Sequence, residues 1–139
     1  MSLEEIRRKM SEKRLKATPQ RLAVFQALME LKHPYAEDVV EFVREKNPTV
    51  SVATVYNTLD TFEQNDLLFK LETGNGKMRY DGGMHKHFHI YDLETDCVID
   101  YQNKELDTYL TDYFSKVKIE GVEIKDIRLQ IIGTIHSNN

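Results

Sequence analysis

From Leu22 to Phe62 the apolar residues recur at helical spacing, and in the second half of the chain they fall into short extended runs. Residues 3–15 read as a charged helix. Thr18 followed by Pro19 gives an N-cap and a proline at the first helical position. The second helix that they open carries Leu22, Val24, Phe25, Leu28 and Leu31. His33-Pro34 breaks it, because a residue before proline is pushed out of the α region. A third helix is expected from about Tyr35 to Lys46, with Val39, Val40, Phe42 and Val43 inward, and Asn47-Pro48 stops it. Ser51 can cap a fourth, in which Val52, Val55, Leu59 and Phe62 form the apolar stripe. That stripe leaves Ala53, Thr54, Tyr56, Asn57 and Thr58 available to a partner.

Two short strands around Thr73-Gly74-Asn75-Gly76, from Leu67 to Lys70 and from Met78 to Asp81, predict a hairpin. Helices followed by a hairpin have the order of a winged helix. The remainder reads as strands at 87–93 and 97–101, a helix at 105–117 with Leu106, Leu110 and Phe114 inward, and an alternating strand at 122–131. The expected class is therefore α+β: a winged helix with its hinge at residues 1–82 and a small α/β unit at 83–139. Open sheet edges in the second unit favour pairing across a two-fold axis, so we expect a homodimer.

Charge changes the picture in one place. The chain has a net charge of −4, yet residues 1–25 hold seven basic against three acidic side chains. Such a segment suits approach to phosphate, or equally a solvated helix with ion pairs such as Glu4 with Arg8. Apolar residues make up 40 % and charged ones 30 %, which allows a lean core. No run approaches the ~20 apolar residues of a membrane span, and no signal-peptide pattern opens the chain. A single cysteine, Cys97, fits a reducing compartment. The expected location is cytoplasmic, with no membrane partner, and Cys97 is expected as a buried thiol in its strand.

The densest chemistry lies in Asp81-Gly82-Gly83-Met84-His85-Lys86-His87-Phe88-His89, followed by Asp100. In an extended strand His85, His87 and His89 share a face. Imidazoles beside carboxylates suit a divalent transition metal such as Fe, Mn or Zn. His33, before its proline, could cap a turn or ligate. His136 lies in the tail and is assigned no role.

Four motifs in order resemble the ferric uptake regulator (Fur) superfamily, and most closely its peroxide-sensing PerR branch. They are Thr18-Pro19-Gln20-Arg21, His33-Pro34-x-Ala36-Glu37-Asp38, Ser51-Val52-Ala53-Thr54-Val55-Tyr56-Asn57-Thr58-Leu59 and the His-x-His strand ending in an acid. The resemblance implies a dimeric metal-dependent repressor of double-stranded operator DNA, palindromic and AT-rich. The regulatory ligands would be His33, Asp81, His87, His89 and Asp100, holding Fe(II) or Mn(II), with Zn a possible occupant in purified protein. With iron, His33 or His87 would be the oxidation-sensitive residue. The DNA-facing set would be Lys16, Arg21, Ser51, Ala53, Thr54, Tyr56 and Asn57. Aspartate at 81 and 100, and Asn57 after Tyr56, are the features that resemble the PerR branch. A Fur-type sensor of Fe, Mn or Zn without peroxide chemistry is the alternative.

The chain also departs from the family. Asp92 and Thr95 stand where a first Cys-x-x-Cys pair would be, and His136-Ser137-Asn138-Asn139 offers no second. No structural zinc is expected, which would leave strand packing alone to hold that edge. Lys86 and Phe88 occupy two ligand positions of a further site, and Tyr35 replaces the usual Ser/Thr cap. Asp60 and Glu63 add negative charge to the fourth helix. A non-haem iron enzyme is a remote reading, because no second constellation would bind a substrate.

Overall fold

Ser2, Thr18 and Ser51 each stand one residue before a helix and accept a backbone N–H from its first turn, at 3.2, 3.3 and 3.1 Å. They start α1 (Leu3–Glu12), α2 (Pro19–Leu31) and α4 (Val52–Gln64). The helix α3 (Ala36–Lys46) begins differently. The Asp38 carboxylate accepts the Tyr35 N–H at 2.9 Å, a cap supplied from inside the helix. Helix α1 stops short of the expected residue 15. Arg14 turns left-handed (φ 59°), and the Leu15 N–H returns to the Met10 carbonyl at 2.8 Å, which closes the helix end.

The structure, a computed structural model, describes residues 2–82 and 88–136. They belong to two compact units, Met1–Met84 and His85–Asn139. In the first, α2, α3 and α4 pack on one another and α1 packs on α2. Val24, Phe25, Leu28, Val39, Val43, Val55, Leu59 and Phe62 are almost fully buried, with Ile6 and Met10 added from α1. Phe25 and Phe62 meet edge-to-face with ring centroids 5.6 Å apart.

Two positions of α4 depart from the periodic reading. Val52 is 42 % exposed, whereas Thr58 is buried. Thr58 satisfies its hydroxyl by donating to the Thr54 carbonyl at 2.7 Å, so a polar residue can occupy the inner face. The wing consists of β1 (Phe69–Glu72) and β2 (Met78–Asp81), antiparallel with Phe69 opposite Asp81. Gly76 supplies the left-handed residue of its turn (φ 78°). Leu67 and Leu68, expected in the first strand, instead close the core ahead of it. Gly82 follows Asp81 where the chain passes close to α2. A Cβ there would sit 3.2 Å from the Leu28 Cβ, tighter than ordinary contact.

The second unit holds β3 (Phe88–Asp92), β4 (Val98–Asp100), α5 (Lys104–Lys116) and β5 (Leu129–Gly133). The central strand β3 pairs antiparallel with β4 and parallel with β5. The alternating stretch 122–131 becomes strand only from Leu129, because the ladder with β3 begins at Phe88 opposite Leu129. Alternation predicts a strand, but a strand forms only where a partner offers a ladder. On α5 the expected stripe of Leu106, Leu110 and Phe114 is half-buried. Ile131 and Ile132 of β5 remain 41 and 61 % exposed.

Asp92 holds this unit together in a way the sequence reading did not anticipate. Its buried carboxylate accepts the Thr95 hydroxyl at 2.6 Å, the Glu94 N–H at 3.1 Å and the Ile135 N–H at 3.5 Å. One side chain thus ties the β3–β4 turn to the chain leaving β5, and strand packing is not alone at that edge. Cys97 lies in that turn and is exposed, not buried as expected, since the strand begins one residue later. The Thr95 hydroxyl, followed by the backbone N–H groups, lowers the Asp92 pKa although burial opposes them. A depressed carboxyl pKa stabilises above the ordinary value of about 3.9 and loses that effect as pH falls through the folded value. Asp92→Asn is therefore expected to lower the melting temperature at neutral pH, with the gap to wild type closing under strong acid. Thermal unfolding across pH checks this; a gap independent of pH would show that the charge contributes nothing.

Candidate metal centre and nucleic-acid interface

Helix α2 ends in two successive left-handed residues, Lys32 (φ 50°) and His33 (φ 54°), before Pro34. Such conformations persist in non-glycine residues only when their surroundings hold them. Here strand β2 does so. The Tyr80 N–H donates to the Pro34 carbonyl at 2.8 Å, and Tyr35 forms an antiparallel bridge with Arg79. Counting two residues outward from that bridge sets His33 opposite Asp81. Both are buried, with an imidazole nitrogen and a carboxylate oxygen within 4.8 Å of each other.

The second unit makes a similar pair. His89 and Asp100 are cross-strand partners on β3 and β4, with Nε2 3.3 Å from Oδ1. His89 is buried and Asp100 half-buried. His87 and His85 lie outside the described residues. Period-2 spacing sets only the histidines on one face of the strand, and Asp100 entered through the resemblance; it is the β3–β4 register that brings Asp100 opposite His89. Sequence spacing passed over Arg79, whose Nη1 donates to the His33 carbonyl at 2.9 Å. The one sequence signal for it is alternation, which sets Arg79 and Asp81 on the same side of β2.

On α4 the exposed face comprises Ser51, Val52, Ala53, Tyr56, Asn57 and Asp60, with Tyr56 40 % exposed. Thr54 is half-buried and pairs its hydroxyl with Ser51 at 2.8 Å. Thr58, expected among the available residues, belongs to the core. Glu63 pairs with Lys70 of β1 at 2.8 Å, and that hydrogen bond raises the Lys70 pKa against a smaller opposing effect of burial. Part of the negative charge on α4 is thereby countered by the wing. At the start of α2, Arg21 donates to the Lys16 carbonyl at 2.9 Å, which brings these two residues of the expected DNA-facing set together.

An α+β chain with an N-terminal winged helix, a second small unit and an imidazole–carboxylate pair in each has the make-up of a metal-responsive DNA-binding regulator. Comparison with known proteins agrees. Residues 12–132 match the family model described as ferric uptake regulator family. The ferric uptake regulation protein of Bacillus subtilis is 32 % identical over 99 % of this chain and 94 % of its own length. The peroxide operon regulator of the same organism is 30 % identical over 94 % of this chain and 89 % of its own. Among solved structures, a ferric uptake regulator from Pseudomonas aeruginosa with manganese gives a TM-score of 0.76 at 25 % identity, covering 99 % of this chain and all of that one. This chain belongs to the ferric uptake regulator family: it is a metal-responsive transcriptional repressor, a regulator and not an enzyme. Among the described residues no helix is long and apolar enough to cross a membrane.

Proposed function

We propose that this protein is a peroxide-responsive repressor whose regulatory metal is held by His33, Asp81, His87, His89 and Asp100. The observation that carries the reading is the pairing of nitrogen with carboxylate in both units, His33 with Asp81 and His89 with Asp100. Nitrogen and hard oxygen donors without thiolate suit Fe(II) and Mn(II), and accept Zn(II). A ligand set drawn from two units can act as a switch, because filling it favours one arrangement of the units over others. Fe(II), when bound, supplies one-electron reduction of peroxide. The chain's contribution is to hold imidazoles within reach, and His33 and His87 are the side chains expected to gain an oxygen.

In the DNA-competent dimer each α4 would enter a major groove. Tyr56 and Asn57 would face base edges, with Asn suited to adenine and Tyr to the thymine methyl. Ser51, Ala53 and Thr54 line the same helix start, and Lys16 and Arg21 would approach the backbone or the minor groove. The operator would be palindromic and AT-rich. A second copy would pair through the second unit, whose exposed Ile131 and Ile132 need cover.

A plain metal sensor is the second reading, favoured by the similarity to the Bacillus subtilis ferric uptake regulation protein. Anaerobic loading with Fe(II), addition of near-stoichiometric peroxide and peptide mass spectrometry separate the two. One added oxygen on the His33 or His87 peptide, with Mn(II)-loaded protein unmodified, is the expected result. Full iron occupancy and metal-dependent DNA binding without that oxygen would leave the metal sensor.

A further inference from the structure

The His33 backbone is held by a chain of contacts that runs to the tip of the wing. Arg79 donates from Nη1 to the His33 carbonyl at 2.9 Å, and its guanidinium lies 4.3 Å from the centre of the Tyr35 ring. The Tyr35 hydroxyl in turn accepts a hydrogen bond from Asn75 Nδ2 at 2.9 Å. Asn75 belongs to the wing turn, where its Oδ1 accepts the Lys77 N–H at 2.9 Å and lies 2.6 Å from the Thr73 hydroxyl. Lys77 leans toward the same ring, 5.7 Å from its centre, and pairs with Glu37 of α3 at 3.7 Å.

We propose that Arg79 and Tyr35 are positioning residues that couple His33 to the wing turn, so that metal occupancy and the placement of Asn75–Lys77 influence each other. The inference rests on the metal reading above, in which His33 is a ligand. Its physical basis is directional. A planar guanidinium stacked on an aromatic ring is pre-organised, so its hydrogen bond fixes the His33 carbonyl with little further ordering. His33 sits in a left-handed conformation that needs such support, and Arg79 is two residues from Asp81 on the same strand. The strand that carries one ligand therefore restrains the other. Tyr35 extends that restraint to the turn, and linkage requires the influence to run equally in both directions.

Nitrogen-15 NMR of the full chain during a Zn(II) titration tests this. In wild type the Gly76 amide signal is expected to move as Zn(II) binds. Tyr35→Phe, which keeps the ring under Arg79 and removes the hydroxyl, should retain Zn(II) affinity within about threefold and lose most of that movement. Arg79→Gln should weaken Zn(II) binding by roughly 10–100-fold, as for other residues that orient a ligand, and Arg79→Lys should recover part of it. A Gly76 movement equal in wild type and Tyr35→Phe would overturn the coupling, as would folded Arg79→Gln protein with undiminished affinity. His33→Ala serves as the separate control. Undiminished Zn(II) affinity in that variant would remove the metal reading itself, whereas weakened affinity with silent Tyr35 and Arg79 variants would remove only the relay.

Discussion

His89→Ala protein is expected to bind Mn(II) at least about 100-fold more weakly than wild type and to lose metal-dependent operator binding. The magnitude follows from the 10–100-fold effects of groups that merely orient a ligand, which removal of a ligand should match or exceed. His89 lies on β3, the central strand of its sheet, with β4 on one side and β5 on the other. Its position is therefore fixed from both sides, and its Nε2 lies 3.3 Å from Asp100 Oδ1. Alanine leaves that carboxylate without its neighbouring nitrogen while the backbone ladder, which sets the sheet, remains. Isothermal titration with Mn(II) and gel-shift assays with and without the metal measure the effect, with circular dichroism confirming the fold. Unchanged Mn(II)-dependent DNA binding would exclude the site we propose.

Phe62→Ala is expected to remove a large part of the stability of the winged-helix unit. The ring is fully buried and packs edge-to-face against Phe25, one of the contacts between α4 and α2. Truncating a buried phenylalanine costs about 3–5 kcal/mol through lost burial and the cavity left behind. Domains of this size are stable by only about 5–15 kcal/mol. With about 4–8 °C of melting temperature per kcal/mol, thermal unfolding should shift by more than ten degrees. Phe62→Leu should lose much less. A shift in Phe62→Ala below about 4 °C, corresponding to less than about 1 kcal/mol, would mean that the core closes around the gap. Because α4 carries Tyr56 and Asn57, operator binding should weaken together with stability.

Much of the first unit was legible in the sequence because its signals are local. Thr18-Pro19 and Ser51 start their helices through a hydrogen bond three residues away, and His33-Pro34 ends α2 through steric exclusion at one bond. Where the reading failed, a non-local partner decided. The stretch 122–128 alternates well, but the ladder begins only where β5 meets β3. Thr58 looked available because it is polar, yet a hydrogen bond to its own helix lets it lie inward. Cys97 looked buried because it was expected inside an apolar strand, but that strand begins one residue later, at Val98, and Cys97 is exposed.

The candidate site divides along the same line. By itself the sequence determined the donor chemistry, the shared face of the strand histidines, the capped α4 with its exposed Tyr56 and Asn57, and the resemblance to its family. Only the tertiary structure decided that His33 faces Asp81, that Arg79 and Tyr35 tie His33 to the wing, and that Asp92 clasps Thr95 and Ile135. The reason is physical. Spacing along one helix or strand fixes which side chains share a face, whereas contacts between residues 33 and 79, or 92 and 135, depend on how separate elements pack.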